Sequence, residues 1–540
     1  MLADKIFRNG VIVTVDPHQP RAEAIAVREG HILAVGSWDS VSPLQGSSTE
    51  IIDLKGNTLL PGFVEAHAHP LMSGIAWGDP VIDIRAVHTP TYEAAIAKMK
   101  RRAAKAKPGE ILWFLGLDPQ LHVGMREPSV QELDDISTTN PIVVQTSNTH
   151  AGYLNTAALA AFGIDGNYVP PMGGQVHRDE TGALWKFEEL AIWAISLQFF
   201  DTCDDTRNKK VMTEWLNMFA RAGYTTSSEI FVAPHQTPYF ERVLRGQEQP
   251  IRVFGYEHEA PDLKMSVRPD NGDDLWNIRG LKIQADGSVL VGNVWVSRPY
   301  LNTKMTRTNM GLPEDNVGHM NYTHDELLRM MSSYALDGWQ IAVHAHGDLT
   351  IDAVLNVFEE VLATFPQAAK PFRLEHCGIM RSDQIERAVK LGVSCSFFLP
   401  YIYYWGDALH DNLLGPDRAA RFAPSGEALQ KGMRVSHHCD SPMTWPNALL
   451  CLYLATTRKS SSGRVLGPDQ RMTIDEAICA ITLDAAYQLR MEDKIGSLAA
   501  GKYADFVILD GNILTRDPDD LLNAKILGTY LGGRSVWSEL

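Results

Sequence analysis

The chain has 540 residues, 45% hydrophobic and 21% charged, a composition that excludes a disordered or collagenous protein and a small disulfide scaffold. Its 65 acidic residues outnumber 49 basic ones, giving a formal charge of −16, so most of the surface repels polyanions and nucleic acid is not expected as a partner. The six cysteines (Cys203, Cys377, Cys395, Cys439, Cys451, Cys479) form no CxxC pair, no apolar leader precedes Asp4, and no apolar stretch is long enough for a bilayer. Together these features lead us to expect a cytoplasmic protein in a reducing setting, without a membrane partner.

From Lys5 to about Leu60, short β-rich runs alternate with turn signals, and Asn9-Gly10 and Glu29-Gly30 read as hairpin turns. At the other end KYADFVILDGN and TYLGGRSVW give further strands, the last pair joined at Gly532-Gly533. Neither end can build a core alone, so residues 1–60 and 481–540 are expected to pack as one discontinuous β domain. Between them, residues 61–480 repeatedly place a short apolar strand before a helical pattern, as in WQIAVHAHGD followed by TIDAVLNVFEEVLATF. FRLEHCG before MRSDQIERAVKLG and VSHHCDSP before NALLCLYLATT repeat the unit, each with polar residues just past the strand. The expected fold is therefore α/β, a distorted (β/α)8 TIM-like barrel. Roughly 420 residues exceed the ~250 of a bare barrel, so an insertion is expected over about 72–225. Within it PPMGGQVHRDETGALW reads as a hairpin near the barrel mouth, while the basic run Lys98 to Lys107 reads as a solvated helix face.

The segment LLPGFVEAHAHP places His67 and His69 two apart at a strand end, where both rings face one side and one metal could take both. The same spacing recurs at His344 and His346, so the pair alone is not specific. Further strand ends carry Lys282 in RGLKIQADGS, His344 in IAVHAHGD, His376 in RLEHCG and Asp440 in SHHCDSP, and the combination is more specific than any member. A buried lysine is ordinarily an ion-pair partner. Held neutral in a desolvated site, it can instead react with carbon dioxide to give a carbamate whose two oxygens bridge two cations.

Gly62 to Pro70 (GFVEAHAHP), Lys282 with Asp286-Gly287-Ser288, His344 to Asp348 (HAHGD), Glu375-His376 and Asp440-Ser441-Pro442 resemble the metal-site motifs of the amidohydrolase superfamily. The tail IGSLAAGKYADFVILD is similar to the segment that re-enters the β domain in that superfamily. LGLDPQL and SNTHAGYLNTAAL are similar to the branch that includes N-substituted formamide deformylases, and the likeness spans essentially the whole chain. What it implies is a distorted barrel holding one or two divalent metals, most often zinc. His67 and His69 would hold the more buried metal, Lys282 as a carbamate would bridge, and His344 with His376 would hold the second. Asp440 would touch a metal through one oxygen and hydrogen-bond the bridging water through the other.

The likeness favours His344 over His346 as a ligand and leaves His346 beside the substrate or behind a ligand. His437, His438 and Cys439 replace the small residues usual before the aspartate; His438 reads as a substrate contact or as core packing, and Cys439 as buried packing. His150 would polarise the substrate carbonyl, or else cap a loop, and Asp118 reads as a turn initiator. Tyr401 and Trp405 follow a strand end and suggest an apolar or aromatic substrate pocket. The resulting expectation is a metal-dependent amidohydrolase that hydrolyses the C–N bond of a small amide through metal-activated hydroxide, with Asp440 as base and then acid. The alternatives are a deaminase or cyclic-amide hydrolase on the same site, or a non-catalytic ligand-binding barrel. A small molecule is the expected partner, and a homo-oligomer stays open.

Overall fold

Eight parallel strands surround the centre of the computed structural model, which describes residues 1–179, 181–246, 248–258 and 265–539. They are β1 (Phe63–Glu65), β2 (Tyr224–Val232), β3 (Arg252–His258), β4 (Trp276–Gln284), β5 (Gln340–Ala345), β6 (Arg373–His376), β7 (Ser394–Phe398) and β8 (Val435–His438). Each pairs in parallel with the next in chain order, and nearly every residue in them is buried, which is why they read as short apolar runs. Helices Asp348–Thr364, Ser382–Leu391 and Ala448–Thr457 follow β5, β6 and β8. The strand–helix units read from the sequence are therefore those of a nearly closed α/β barrel.

Among the described residues no ladder joins β8 to β1. Two other bonds span that seam: the Cys439 N–H donates to Glu65 Oε1 (3.0 Å) and the His69 N–H to the Ser441 carbonyl (2.9 Å). A side chain thus stands in for strand pairing at the point where His67 and His69 leave β1.

After β1 the chain builds a second, six-stranded sheet, ordered Gly174–Arg178, Leu184–Glu189, Ala151–Leu154, Ile142–Thr146, Leu112–Leu117, Ile82–Asp83. The first two strands are the antiparallel hairpin expected from PPMGGQVHRDETGALW. Helix Leu190–Phe200 follows, with eight of its eleven residues buried, as suits a helix apolar on all sides. Its Phe199 stacks on Trp113 at 4.9 Å, tying helix to sheet.

Strands from the two chain ends meet in one sheet, where Phe506–Leu509 runs antiparallel to Thr58–Pro61. Glu29-Gly30 and Gly532-Gly533 are tight two-residue turns with positive φ at both positions, as hairpins require. Asn9-Gly10 differs from its expected turn: it is an irregularity inside one strand, Lys5–Val13. Asn9 takes the left-handed φ of 61°, but a Cβ on Gly10 would lie 2.5 Å from the Asn57 carbonyl oxygen, so the glycine admits a neighbouring loop. Among the described residues no helix is long and apolar enough to cross a membrane.

Candidate metal centre

The C-terminal ends of β1, β4, β5, β6 and β8 deliver the side chains that the motifs singled out. His67 and His69 follow β1, and Asp440 follows β8 across the seam, so Asp440 Oδ1 lies 3.4 Å from His67 Nε2 and 3.3 Å from His69 Nε2. Lys282 is buried in β4 with Nζ 3.5 Å from His67 Nε2. His376 Nδ1 stands 4.0 Å from Asp440 Oδ2. Donor atoms of His67, His376, His438 and Asp440 lie within 4.8 Å of one another, as do those of His344, His346 and His376.

The outward nitrogens of these rings are held by other groups. His67 Nδ1 is 2.6 Å from Glu375 Oε2, and since an ionised carboxylate only accepts, the proton sits on Nδ1 and the lone pair on Nε2. Burial would raise the Glu375 carboxyl, but Arg373 and His67 beside it pull it down to about 2. His69 Nδ1 faces Glu229 Oε1 at 3.4 Å, and Glu229 Oε2 accepts the N–H groups of Leu71 and Met72 at the start of helix Pro70–Trp77. His344 Nε2 donates to the Gly287 carbonyl (2.7 Å), which leaves Nδ1 with the lone pair.

The sequence motif Asp286-Gly287-Ser288 acquires a physical account here. Asp286 accepts the N–H groups of His346 and Gly347, and burial pushes its carboxyl up to about 7. A Cβ on Gly287 would strike Asn293 Oδ1 at 2.1 Å and Glu189 Oε1 at 2.4 Å. Asn293 in turn accepts the Ser288 N–H (2.8 Å) and donates to Glu189 (2.8 Å).

These donors fit a divalent cation. Burial drives His344 and His376 well below the ordinary imidazole pKa, so both keep a lone pair at neutral pH. For His69 burial works the same way, yet hydrogen bonds to Asp440 and Glu229 raise it to about 9, so cation binding there would displace a proton. Burial likewise opposes ionisation of Asp440, but His67 and His69 hold its carboxyl well below the usual range. Oriented imidazoles with carboxylates behind them are the ordinary surroundings of a borderline metal such as zinc.

A cleft of about 860 Å³, open solvent included, reaches this cluster. His67, His69, Lys282, His344, His376 and Asp440 form its floor. The insertion supplies the facing wall, with His150, Trp193, Leu197 and Phe200, while Phe231 from β2 and Met443 add to the apolar surface. His150 Nδ1 is 2.9 Å from Glu189 Oε2, and its ring is 5.3 Å from that of His344.

Four residues weighed as substrate contacts, His346 and His438 each with a second reading, lie outside the cleft lining. Tyr401 and Trp405 are buried outside the cleft lining, the Tyr401 hydroxyl 3.1 Å from Ser288 Oγ and Trp405 Nε1 donating to Asp118 Oδ2 (3.2 Å). Their polar atoms face inward, so the aromatic wall comes from Trp193, Phe200 and Phe231 instead. His346 stacks on His376 (4.8 Å) away from the cleft, and its buried Nδ1 has no hydrogen-bond partner. His438 stacks between His67 (4.5 Å) and Phe398 (5.4 Å) and also lies outside the lining. Cys439 is fully buried, with Sγ 3.7 Å from Cys451 Sγ. Sequence reasoning missed Glu189, Glu229 and Glu375 as partners of His150, His69 and His67. The available signal was an acidic residue inside a short strand segment, where carboxylates are uncommon, as in TTSSEIFV and RLEH.

Residues 50–537 match the profile described as the amidohydrolase family. N-substituted formamide deformylase of Arthrobacter pascens is 25% identical over 543 residues, covering 98% of each chain. The protein LONG AFTER FAR-RED 3 of Arabidopsis thaliana is 25% identical over 99% of this chain and 92% of its own. The fold is similar to that of an uncharacterized metal-dependent hydrolase from Pyrococcus horikoshii, with a TM-score of 0.72 at 23% identity, covering 95% of this chain and 99% of that one.

Proposed function

The chain belongs to the amidohydrolase family, and from that premise we propose that it is a metal-dependent hydrolase cleaving the C–N bond of a small, neutral, apolar or aryl-bearing amide. The observation that carries the reading is one cleft that joins a histidine–carboxylate floor to a wall bearing Trp193, Leu197, Phe200 and Phe231. Among the described residues lining it there is no arginine, and Lys282 at the floor is its single lysine, so a substrate carboxylate would find no dedicated partner. The apolar side chains of that wall match an alkyl or aryl group.

His67, His69, His344, His376 and Asp440, with Lys282 as its carbamate, would hold one or two divalent cations, and zinc suits so imidazole-rich a set. When bound, such a cation supplies Lewis acidity that polarises the carbonyl oxygen and acidifies water. The chain's own residues move the protons. Asp440 takes the proton of the attacking water and returns it to the departing nitrogen, acting as base and then acid. His150, held by Glu189, hydrogen-bonds the substrate carbonyl oxygen from the insertion wall. A cytoplasmic setting and a small-molecule partner complete the reading.

Metal analysis joined to a hydrolysis screen over formamides, anilides, ureas and cyclic amides tests it. We expect stoichiometric divalent metal, an amine and an acid as products, and loss of turnover on chelation that added zinc restores. Release of ammonia would establish a deaminase instead, and full turnover by metal-free protein would reject the reading.

A further inference from the structure

His438 lies in contact with His376 but outside the cleft, and the polar groups behind it form a string that leads away from the site. Gln488 is the fixed end. Its Nε2 donates to the Cys395 carbonyl (2.8 Å) and to Ser394 Oγ (2.6 Å), so its Oε1 is the atom that faces Ser436 Oγ at 2.7 Å. An amide oxygen only accepts. Ser436 Oγ also stands 2.8 Å from Ser396 Oγ, but it has one proton, and Gln488 Oε1 can be satisfied only by receiving it. The Ser396 hydroxyl then donates to Ser436. Ser396 Oγ, 2.8 Å from His438 Nδ1, is left to accept, so His438 carries its proton on Nδ1. His438 Nε2 therefore holds a lone pair, and the group 3.2 Å away is His376 Nδ1.

We propose that the string Gln488–Ser436–Ser396–His438 fixes the proton of His376 on Nδ1 and so leaves Nε2 as the nitrogen with which His376 takes a metal. His438 is a positioning residue on this account, neither a ligand nor a substrate contact. The four side chains of the string are fully buried and none lines the cleft, so water cannot supply the alternative polarity along it. The inference rests on the metal-dependent reading of the site, yet its first consequence is a proton position readable without metal.

In metal-free protein labelled with 15N-histidine, the His376 ring, identified by comparison with a His376→Asn sample, should show the Nδ1–H tautomer. In enzyme loaded with cadmium-113, His376 should couple through both of its carbon-bound ring protons, as an Nε2 ligand does. His438→Leu, which removes the acceptor, should weaken zinc binding by about 10- to 100-fold in chelator competition, whereas His438→Gln, which keeps a side-chain oxygen acceptor, should recover most of it. An Nε2–H tautomer, ligation through Nδ1, or wild-type zinc affinity in a folded His438→Leu protein would overturn the proposal. A metal-free spectrum with the Nδ1–H tautomer from a protein that binds no zinc or cadmium would uphold the string and sink the metal-dependent reading instead.

Discussion

The two walls of the cleft differ in what they contribute: the barrel side carries the clustered imidazoles, and the insertion side carries Trp193, Leu197 and Phe200. The barrel wall is polar: five strand ends present imidazoles, a lysine and a carboxylate, and His67, His69 and His344 each have the outward nitrogen facing a buried carboxylate or a backbone carbonyl. The insertion wall is mixed: helix Leu190–Phe200 supplies Trp193, Leu197 and Phe200, and the segment Ser147 to His150 supplies polar side chains, of which His150 is held by Glu189 at the base of that helix. Barrel strands paired with their neighbours, and bridged by Glu65 and the Ser441 carbonyl at the β8–β1 seam, fix where these side chains emerge; an inserted helix can change side chains without disturbing them. On the proposed function, chemistry and selectivity fall to different parts of the chain.

The sharpest way to break this division is Asp440→Asn. The barrel wall would keep its other donors, so metal content should stay near wild type while turnover falls by about 10⁴-fold, the upper end of acid–base catalysis. A metallated variant retaining more than about a tenth of wild-type turnover would remove proton transfer from Asp440.

Next in size is Glu375→Gln. With the carboxylate gone, the His67 Nδ1–H loses its charged acceptor, and zinc affinity should drop by about 10- to 100-fold with little change in KM. Unchanged affinity in chelator competition would mean that the buried glutamate serves Arg373 alone.

On the insertion wall the expected split is reversed. Trp193→Ala should raise KM for aryl-bearing amides by about 10- to 100-fold while kcat and bound metal hold, because an apolar contact made equally in ground and transition states affects binding only. A fall in kcat at constant KM would show that the wall also orients the reacting bond.

The smallest effect concerns how the insertion is held together. Burial alone would raise the Glu188 carboxyl, but Lys186, 2.7 Å away, and His177 draw it well below the usual range. A carboxylate depressed in the folded state lends stability above its unfolded pKa of ~4.3, and that stability is lost as pH falls through the folded value. The gap in melting temperature between wild type and Glu188→Gln should therefore be a few degrees at pH 7 and shrink by pH 3. A gap independent of pH would show that packing, not charge, is what Glu188 contributes.

The residues of the barrel wall were legible because each follows a short apolar strand, and a strand's polar terminus has few places to go in an α/β barrel except the catalytic face. Local signals therefore sufficed for the fold class and the candidate donors, and turn chemistry sufficed at Glu29-Gly30 and Gly532-Gly533, where adjacent strands settle the geometry between themselves. They did not suffice at Asn9-Gly10, where Asn57 and Leu54, more than forty positions away, decide what the glycine is for. Nor could they pair His67 with Glu375 across 308 residues or Leu71 with Glu229 across 158. The aromatic wall shows the same limit: Tyr401 and Trp405 have the right composition and proximity to a strand end, but partners at Ser288 and Asp118 turn them inward, and Trp193, Phe200 and Phe231 take the surface. Residue type and strand periodicity, which are properties of short segments, determined which groups could do chemistry. Which nitrogen carries the proton, and which ring meets the substrate, depend on hydrogen-bond partners and packing that exist only once distant segments are brought together.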